Sequence, residues 1–213
     1  YLHGDDNLDK NLAALGFHRD DITDVFLTHL HFDHCGGAII KSGEQLVPAF
    51  KNAAYWSNTD HWKWATGPNP REKASFLKEN ILPIQQSGQL QMISNRISNE
   101  SSLDTAAFSA YMQVRFADGH TDAMMLPQLR YKGSTIVYMA DLLPSVGHLP
   151  LPYVMAYDTR PLITMTEKER FLQEALENEY ILFFEHDPVH ECCTLKQTER
   201  GIRVNEIFKL SEV

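Results

Sequence analysis

The chain is poor in cysteine, in positive charge and in long apolar runs, and each shortage removes a class of protein. Three cysteines among 213 residues, Cys35, Cys192 and Cys193, cannot build a disulfide framework, since adjacent cysteines rarely bridge and one would be left over. A reducing, cytoplasmic setting is the expectation. Lys and Arg number 19 against 28 Asp and Glu, a formal net charge of −9. That balance argues against a nucleic-acid backbone or an anionic membrane surface as partner. No apolar run approaches the ~20 residues that a membrane-spanning helix needs. The chain opens at Tyr1 with neither Met nor a targeting pattern, so the expectation is a truncated N-terminus, with any signal peptide or leading strands upstream.

What is present is a 43% hydrophobic composition, enough to bury the core of one domain spanning residues 1–213. "DDNLDKNLAALGF" predicts a short helix with an Asp or Asn cap and Gly16 at its end. "ITDVFLTH" predicts a buried strand and "CGGAII" a turn or helix. "QLVPAF" and "AAYWSN" read as strands, "TDHWKWAT" and "REKASFLKENIL" as helices parted by "GPNP". "AAFSAYMQVRFADGH", "AMMLPQLRY" and "STIVYMAD" are strand-like, the last two joined by a turn at Lys132-Gly133. "TEKERFLQEALENEY" predicts a helix with a Thr166/Glu169 capping box and an apolar face of Phe171, Leu172, Ala175 and Leu176. "ILFFEHDP" reads as a buried strand, and the tail as a hairpin turning near Arg200-Gly201. Strands alternate with helices, so the class is α/β.

Ten histidines is a high count for this length, and their placement matters more than their number. "DVFLTHLHFDHCGG" sets His29, His31, Asp33 and His34 within six positions after an apolar run. Three later strand-like segments end at His120, Asp141 and His186. Strand carboxyl ends are where α/β sheets form their binding crevices. A lone His or Asp at a strand end is ordinarily a turn residue; four metal-competent side chains in six positions are not so easily explained. In extended backbone His29 and His31 point to one side and can share an ion, while His34 points elsewhere and suits a second. Two ions sharing a carboxylate accommodate all seven residues. Mixed nitrogen and oxygen donors suit zinc, with iron or manganese as alternatives.

"THLHFDHCGG" resembles the H-x-H-x-D-H signature of the metallo-β-lactamase superfamily. "DGHTD", "MADLLP" and "FEHDP" resemble its later histidine, aspartate and histidine motifs, in the same order. The resemblance implies a metallo-β-lactamase-like four-layer αβ/βα sandwich, lacking its first strands here. It implies one metal on His29, His31 and His120, a second on Asp33, His34 and His186, and Asp141 as the bridge. "YMADLLPSVGHLPLPYVMAYDTRPL" is most similar to the quorum-quenching branch, which includes N-acyl homoserine lactonases. Two positions depart from that branch: "GHTDAM" replaces G-H-T-P-G-H, and Pro144 stands where the best-known lactonases carry tyrosine.

The implied activity is hydrolysis of an ester or lactone, of acyl homoserine lactone type, by hydroxide formed between two divalent ions. Asp141 and Asp33 would be the catalytic carboxylates, with Asp33 relaying a proton to the leaving oxygen. The alternatives are a phosphotriester or thioester hydrolase of the same superfamily, or a non-catalytic metal-stabilised binding module. Structural zinc sites are closed and cysteine-rich, unlike this donor set. His148, Tyr153 and Tyr157 are candidates to line the substrate cleft. Cys35, Cys192 and Cys193 read as packing residues, as do Trp56, Trp62 and Trp64, though the tryptophan-rich middle could also supply a homodimer contact. His3, His18, His61 and His190 read as surface or capping histidines. Asp122 and Asp187 are candidate acceptors for metal-bound imidazoles.

Overall fold

A computed structural model describes residues 7–213, which fall into two compact units that divide between Ile93 and Ser94. His3 lies outside the described residues. In the first unit, helix α1 (Leu8–Ala14) is capped by Asn7, whose side chain accepts the Lys10 N–H at 3.0 Å. Gly16 follows it at φ +83°, the left-handed conformation that ends a helix at least cost in glycine. Strands β1 (Asp24–Phe26), β4 (Ala54–Asn58) and β5 (Leu90–Ile93) form a parallel sheet in the order β1-β4-β5. Between them run the short helix α2 (Phe32–Cys35), a hairpin of β2 (Ile39–Ser42) and β3 (Gln45–Pro48), and helices α3 (Thr59–Thr66) and α4 (Lys78–Gln86). The core gathers Leu27, Leu30, Phe50, Tyr55, Trp62, Phe76, Ile81 and Ile84. Tyr55 is fully buried, and its hydroxyl donates to the Ala38 carbonyl at 3.1 Å while accepting the Phe50 N–H.

The second unit is a seven-stranded sheet ordered β12-β11-β10-β9-β8-β7-β6. Its strands are β6 (Asp104–Ala107), β7 (Met112–Ala117), β8 (Met124–Tyr131), β9 (Ser134–Tyr138), β10 (Ile181–Phe183), β11 (Cys192–Thr198) and β12 (Gly201–Phe208). Only β9 and β10 pair in parallel; helix α5 (Pro161–Glu177) forms the crossover between them. Phe171, Leu172 and Ala175 on α5 join Leu126, Val137, Met139 and Leu182 in one buried cluster. Lys132 and Gly133, at φ +50° and +87°, make the β8–β9 turn, and Gly201 (φ +88°) closes the last hairpin.

Several expectations change. β1 is three residues long and half-exposed rather than an eight-residue buried strand; burial is reached only at Leu27–His31, beyond its end. "AAFSAYMQVRFA" is a hairpin of β6 and β7, and β2 and β5 are strands that the sequence reading missed. The second helix starts at Lys78, not Arg71, because residues 69–75 turn tightly about Asn69, whose side chain accepts the Arg71 and Glu72 N–H groups. The Thr166/Glu169 capping box is absent. Pro161 starts α5 five residues earlier, as suits a residue with no N–H to satisfy, and the Thr166 hydroxyl donates to Leu162 O within the helix.

α5 also presses on the loop after β7. A Cβ placed on Gly119 would lie 2.3 Å from the backbone nitrogen of Thr164, so only glycine fits. Gly119→Ala is expected to lose about 1–3 kcal/mol or more of unfolding free energy, measured by urea titration, because the obstacle is backbone and cannot rotate away.

Candidate metal centre

A recurrence in the backbone organises the candidate residues. His29 lies three positions beyond the end of β1, His120 three beyond β7, Asp141 three beyond β9 and His186 three beyond β10. Each strand delivers its donor through the same short exit at its carboxyl end.

In the first unit the side chains at that exit pack against one another. The His29 ring lies 4.7 Å from that of His31 and 3.9 Å from that of His34, centroid to centroid. His31 opens α2, its carbonyl accepting the His34 and Cys35 N–H groups. His29 and His31 offer ligand atoms within 4.8 Å of each other, as do Asp33 and His34. His29 is fully buried, and Asp33 exposes 46% of its side chain. Cys35 is buried and donates to Leu30 O; burial, aided by Asp33, pushes its thiol to about 12, in keeping with a packing role.

His61 departs from the surface reading. It is fully buried on α3, and its Nε2 accepts the Leu30 N–H at 2.8 Å, which fixes the backbone between His29 and His31. Asn58 holds the His61 N–H from the helix N-cap at 2.9 Å. Trp62 and Trp64 pack in the same core, as expected of them, and the Trp56 indole donates to Asp24. His18 caps the turn Arg19–Asp21, and His190 lies 3.2 Å from Asp187.

In the second unit Asp141 has an imidazole on each oxygen: His120 Nε2 is 3.1 Å from Oδ2 and His186 Nε2 is 3.2 Å from Oδ1. Asp158 accepts from the other side of His120, at 2.9 Å on Nδ1, which leaves Nε2 facing Asp141. Burial alone would lower the His120 pKa, but its bonds to Asp141 and Asp158 outweigh that and raise it to about 9. His186 is held by its N–H on the Pro144 carbonyl at 3.1 Å, so the position that departs from the lactonase pattern supports the last histidine through its backbone. Ala140, at φ +41°, turns the chain sharply before Asp141.

Of the expected acceptors, Asp122 pairs with Arg160, and Asp187 takes the Val146, Val189 and His190 N–H groups. Asp158 is the acceptor found on His120 Nδ1. It sits within the "AYDTR" stretch, yet no spacing signal marked it. Of the substrate candidates, His148 lies 2.9 Å from the Ser145 hydroxyl, while Tyr153 and Tyr157 are 60% and 74% exposed. The fully buried Lys168 on α5 laces that segment down, donating to the carbonyls of His148, Pro150 and Tyr153 at 2.7–3.0 Å. Burial pulls its amine down to about 8. Glu167 accepts the Asp118 and Gly119 N–H groups at 2.6 and 3.0 Å, steadying the approach to His120.

The donors fit a divalent ion. They are imidazole nitrogens and carboxylate oxygens, mostly buried, and an Nε2 faces each oxygen of Asp141. Residues 2–72 match the family model described as the metallo-beta-lactamase superfamily. Among solved structures, a probable metal-dependent hydrolase from Staphylococcus aureus is similar at a TM-score of 0.78 and 23% identity, over 94% of this chain and 67% of that one. AidC, a dizinc quorum-quenching lactonase in complex with a product, N-hexanoyl-L-homoserine, gives 0.77 and 22%, over 94% and 70%. A mutant of B. thuringiensis AiiA, with N-decanoyl-L-homoserine bound at its active site, gives 0.65 and 19%, over 88% and 64%. No curated protein matches the chain by sequence. The family match covers the first third of the chain, and the whole chain shares the mixed α/β fold of those structures.

Two measurements check the supports. His61→Phe removes the acceptor of a buried N–H at similar volume, and is expected to cost about 1–3 kcal/mol by denaturant unfolding. Burial raises the Glu167 carboxyl from 4.5 to about 7 despite its two N–H donors. Its stabilising contribution is then fully present below pH 4.5 and lost as pH rises through about 7. The difference in urea midpoint between the parent and Glu167→Gln should shrink, or reverse sign, across that window.

Proposed function

We propose that the chain, read as one hydrolase domain over residues 1–213, is a metal-dependent hydrolase that opens esters or lactones, with acyl homoserine lactones as its substrate class. The observation that carries this reading is the run His29, His31, Asp33, His34 on a strand exit, with imidazoles packed ring against ring. In this reading the donors of both units serve one dinuclear centre: His29, His31 and His120 for one ion, Asp33, His34 and His186 for the other, and Asp141 for both. Zinc is the expected metal on donor chemistry. The ions, when bound, supply Lewis acidity that polarises a carbonyl and brings the ionisation of water toward neutral pH.

The chain's own residues do the rest. Asp141, with 4% of its side chain exposed, lies between the imidazoles of His120 and His186. Asp33 is the most exposed of the seven, which suits a group that exchanges a proton with solvent and passes it to the leaving oxygen. Asp158 on Nδ1 keeps His120 Nε2 aimed forward. His148, Tyr153 and Tyr157 are the residues assigned to substrate contact, on a segment anchored by Lys168. The two similar structures that carry acyl homoserines support the lactone class. Phosphotriester and thioester hydrolysis are the rival activities, and a metal-stabilised binding module the rival from another class.

Elemental analysis of protein purified with zinc should give close to two metals per chain. The zinc-loaded protein should turn over acyl homoserine lactones faster than a paraoxon-type triester, a glutathione thioester or a β-lactam. His29→Ala and Asp141→Ala should each lose metal together with at least about 100-fold in turnover. One tightly held ion with no hydrolysis would select the binding module, and triester turnover without lactone turnover would replace the substrate class.

A further inference from the structure

An imidazole offers two nitrogens, and the one that binds a ligand is decided by what holds the other. His31 is bracketed on one side by Glu72, whose Oε1 lies 3.4 Å from Nε2 although the two residues are 41 positions apart. Glu72 is 2% exposed, an unusual place for a carboxylate. Its other oxygen is gripped by two donors, the Trp64 indole N–H and the Asn69 side-chain amide, each at 2.6 Å. Asn69 Oδ1 also accepts the Glu72 backbone N–H at 3.2 Å. The carboxylate is therefore fixed by its surroundings, and helix formation is deferred to Lys78 in the segment that supplies it.

The same segment closes on the metal loop twice more. Ser75 O accepts the Phe32 N–H at 2.9 Å, and the Phe76 ring lies 4.7 Å from that of His31. With His61 on Leu30 N, the backbone on both sides of His31 is pinned. We propose that Glu72 is the positioning residue for His31: it accepts the Nε2–H and thereby presents Nδ1 as the metal-binding nitrogen. The inference rests on the metal-binding reading of His31. A buried carboxylate behind the ring also makes it a stronger donor to a cation than a neutral acceptor would.

The test reads tautomer and affinity, not turnover. In zinc-stripped wild-type protein, at a pH where the ring is neutral, imidazole 15N shifts should place the His31 proton on Nε2. A proton on Nδ1 overturns the proposal with no variant needed. Glu72→Gln cannot accept from His31, Trp64 and Asn69 together, and its zinc affinity, by competition with a chelator, should fall about 10- to 100-fold. Trp64→Phe removes a donor to Glu72 while sparing the carboxylate, and should keep both the tautomer and most of the affinity. If Glu72→Gln folds and binds zinc within twofold of wild type while His31→Ala binds poorly, Glu72 has no such role and the metal site stands. If His31→Ala also binds like wild type, the metal reading itself has failed. If Glu72→Gln does not fold, the wild-type tautomer decides.

Discussion

His120 has a carboxylate on each ring nitrogen, with Asp158 at 2.9 Å and Asp141 at 3.1 Å, in a place almost closed to water. Burying an imidazole there without partners would cost several kcal/mol, and burying two carboxylates without a cation would cost more. Positive charge between them, as a proton on the ring or a metal ion in its stead, offsets that cost. The raised pKa of His120 expresses this in proton terms. In the first unit Glu72 stands behind His31, and His61 accepts the Leu30 N–H beside it.

The fold places the candidate residues on short exits from strands. Four of the seven each arrive three residues past a strand end. At that distance the side chain has left the ladder but is still fixed by its strand. Around each exit sits a device that a flexible loop would not carry. Gly119 lies against α5 with no room for a Cβ, Glu167 takes two successive N–H groups, and Pro144 O anchors His186. Ala140 holds a left-handed turn immediately before Asp141, strain that packing in the buried cluster with Met139 and Leu142 sustains.

The sequence revealed the parts whose information is local. Asn7 and Gly16 bound α1 because capping chemistry acts over three or four residues, and the Lys132-Gly133 and Gly201 turns are set by φ alone. The run of four metal-competent side chains within six positions, His29 to His34, was likewise visible in the sequence. The supporting residues were not. Glu72 meets His31 across 41 positions and Asp158 meets His120 across 38, so no periodicity or spacing links them. His61 looked like a helix-surface histidine because only the tertiary fold turns its ring onto Leu30. The Thr166 capping box failed for a local reason: Pro161 is a better helix start, and α5 had already begun.

The claim on which everything else rests is that the cation is held by nitrogen and oxygen, with the buried thiol of Cys35 left out. X-ray absorption at the zinc edge of the loaded protein tests it most directly. The account predicts nitrogen and oxygen scatterers at about 2.0–2.1 Å with the multiple scattering of imidazole. A sulfur shell at about 2.3 Å, or a spectrum without imidazole, would contradict it.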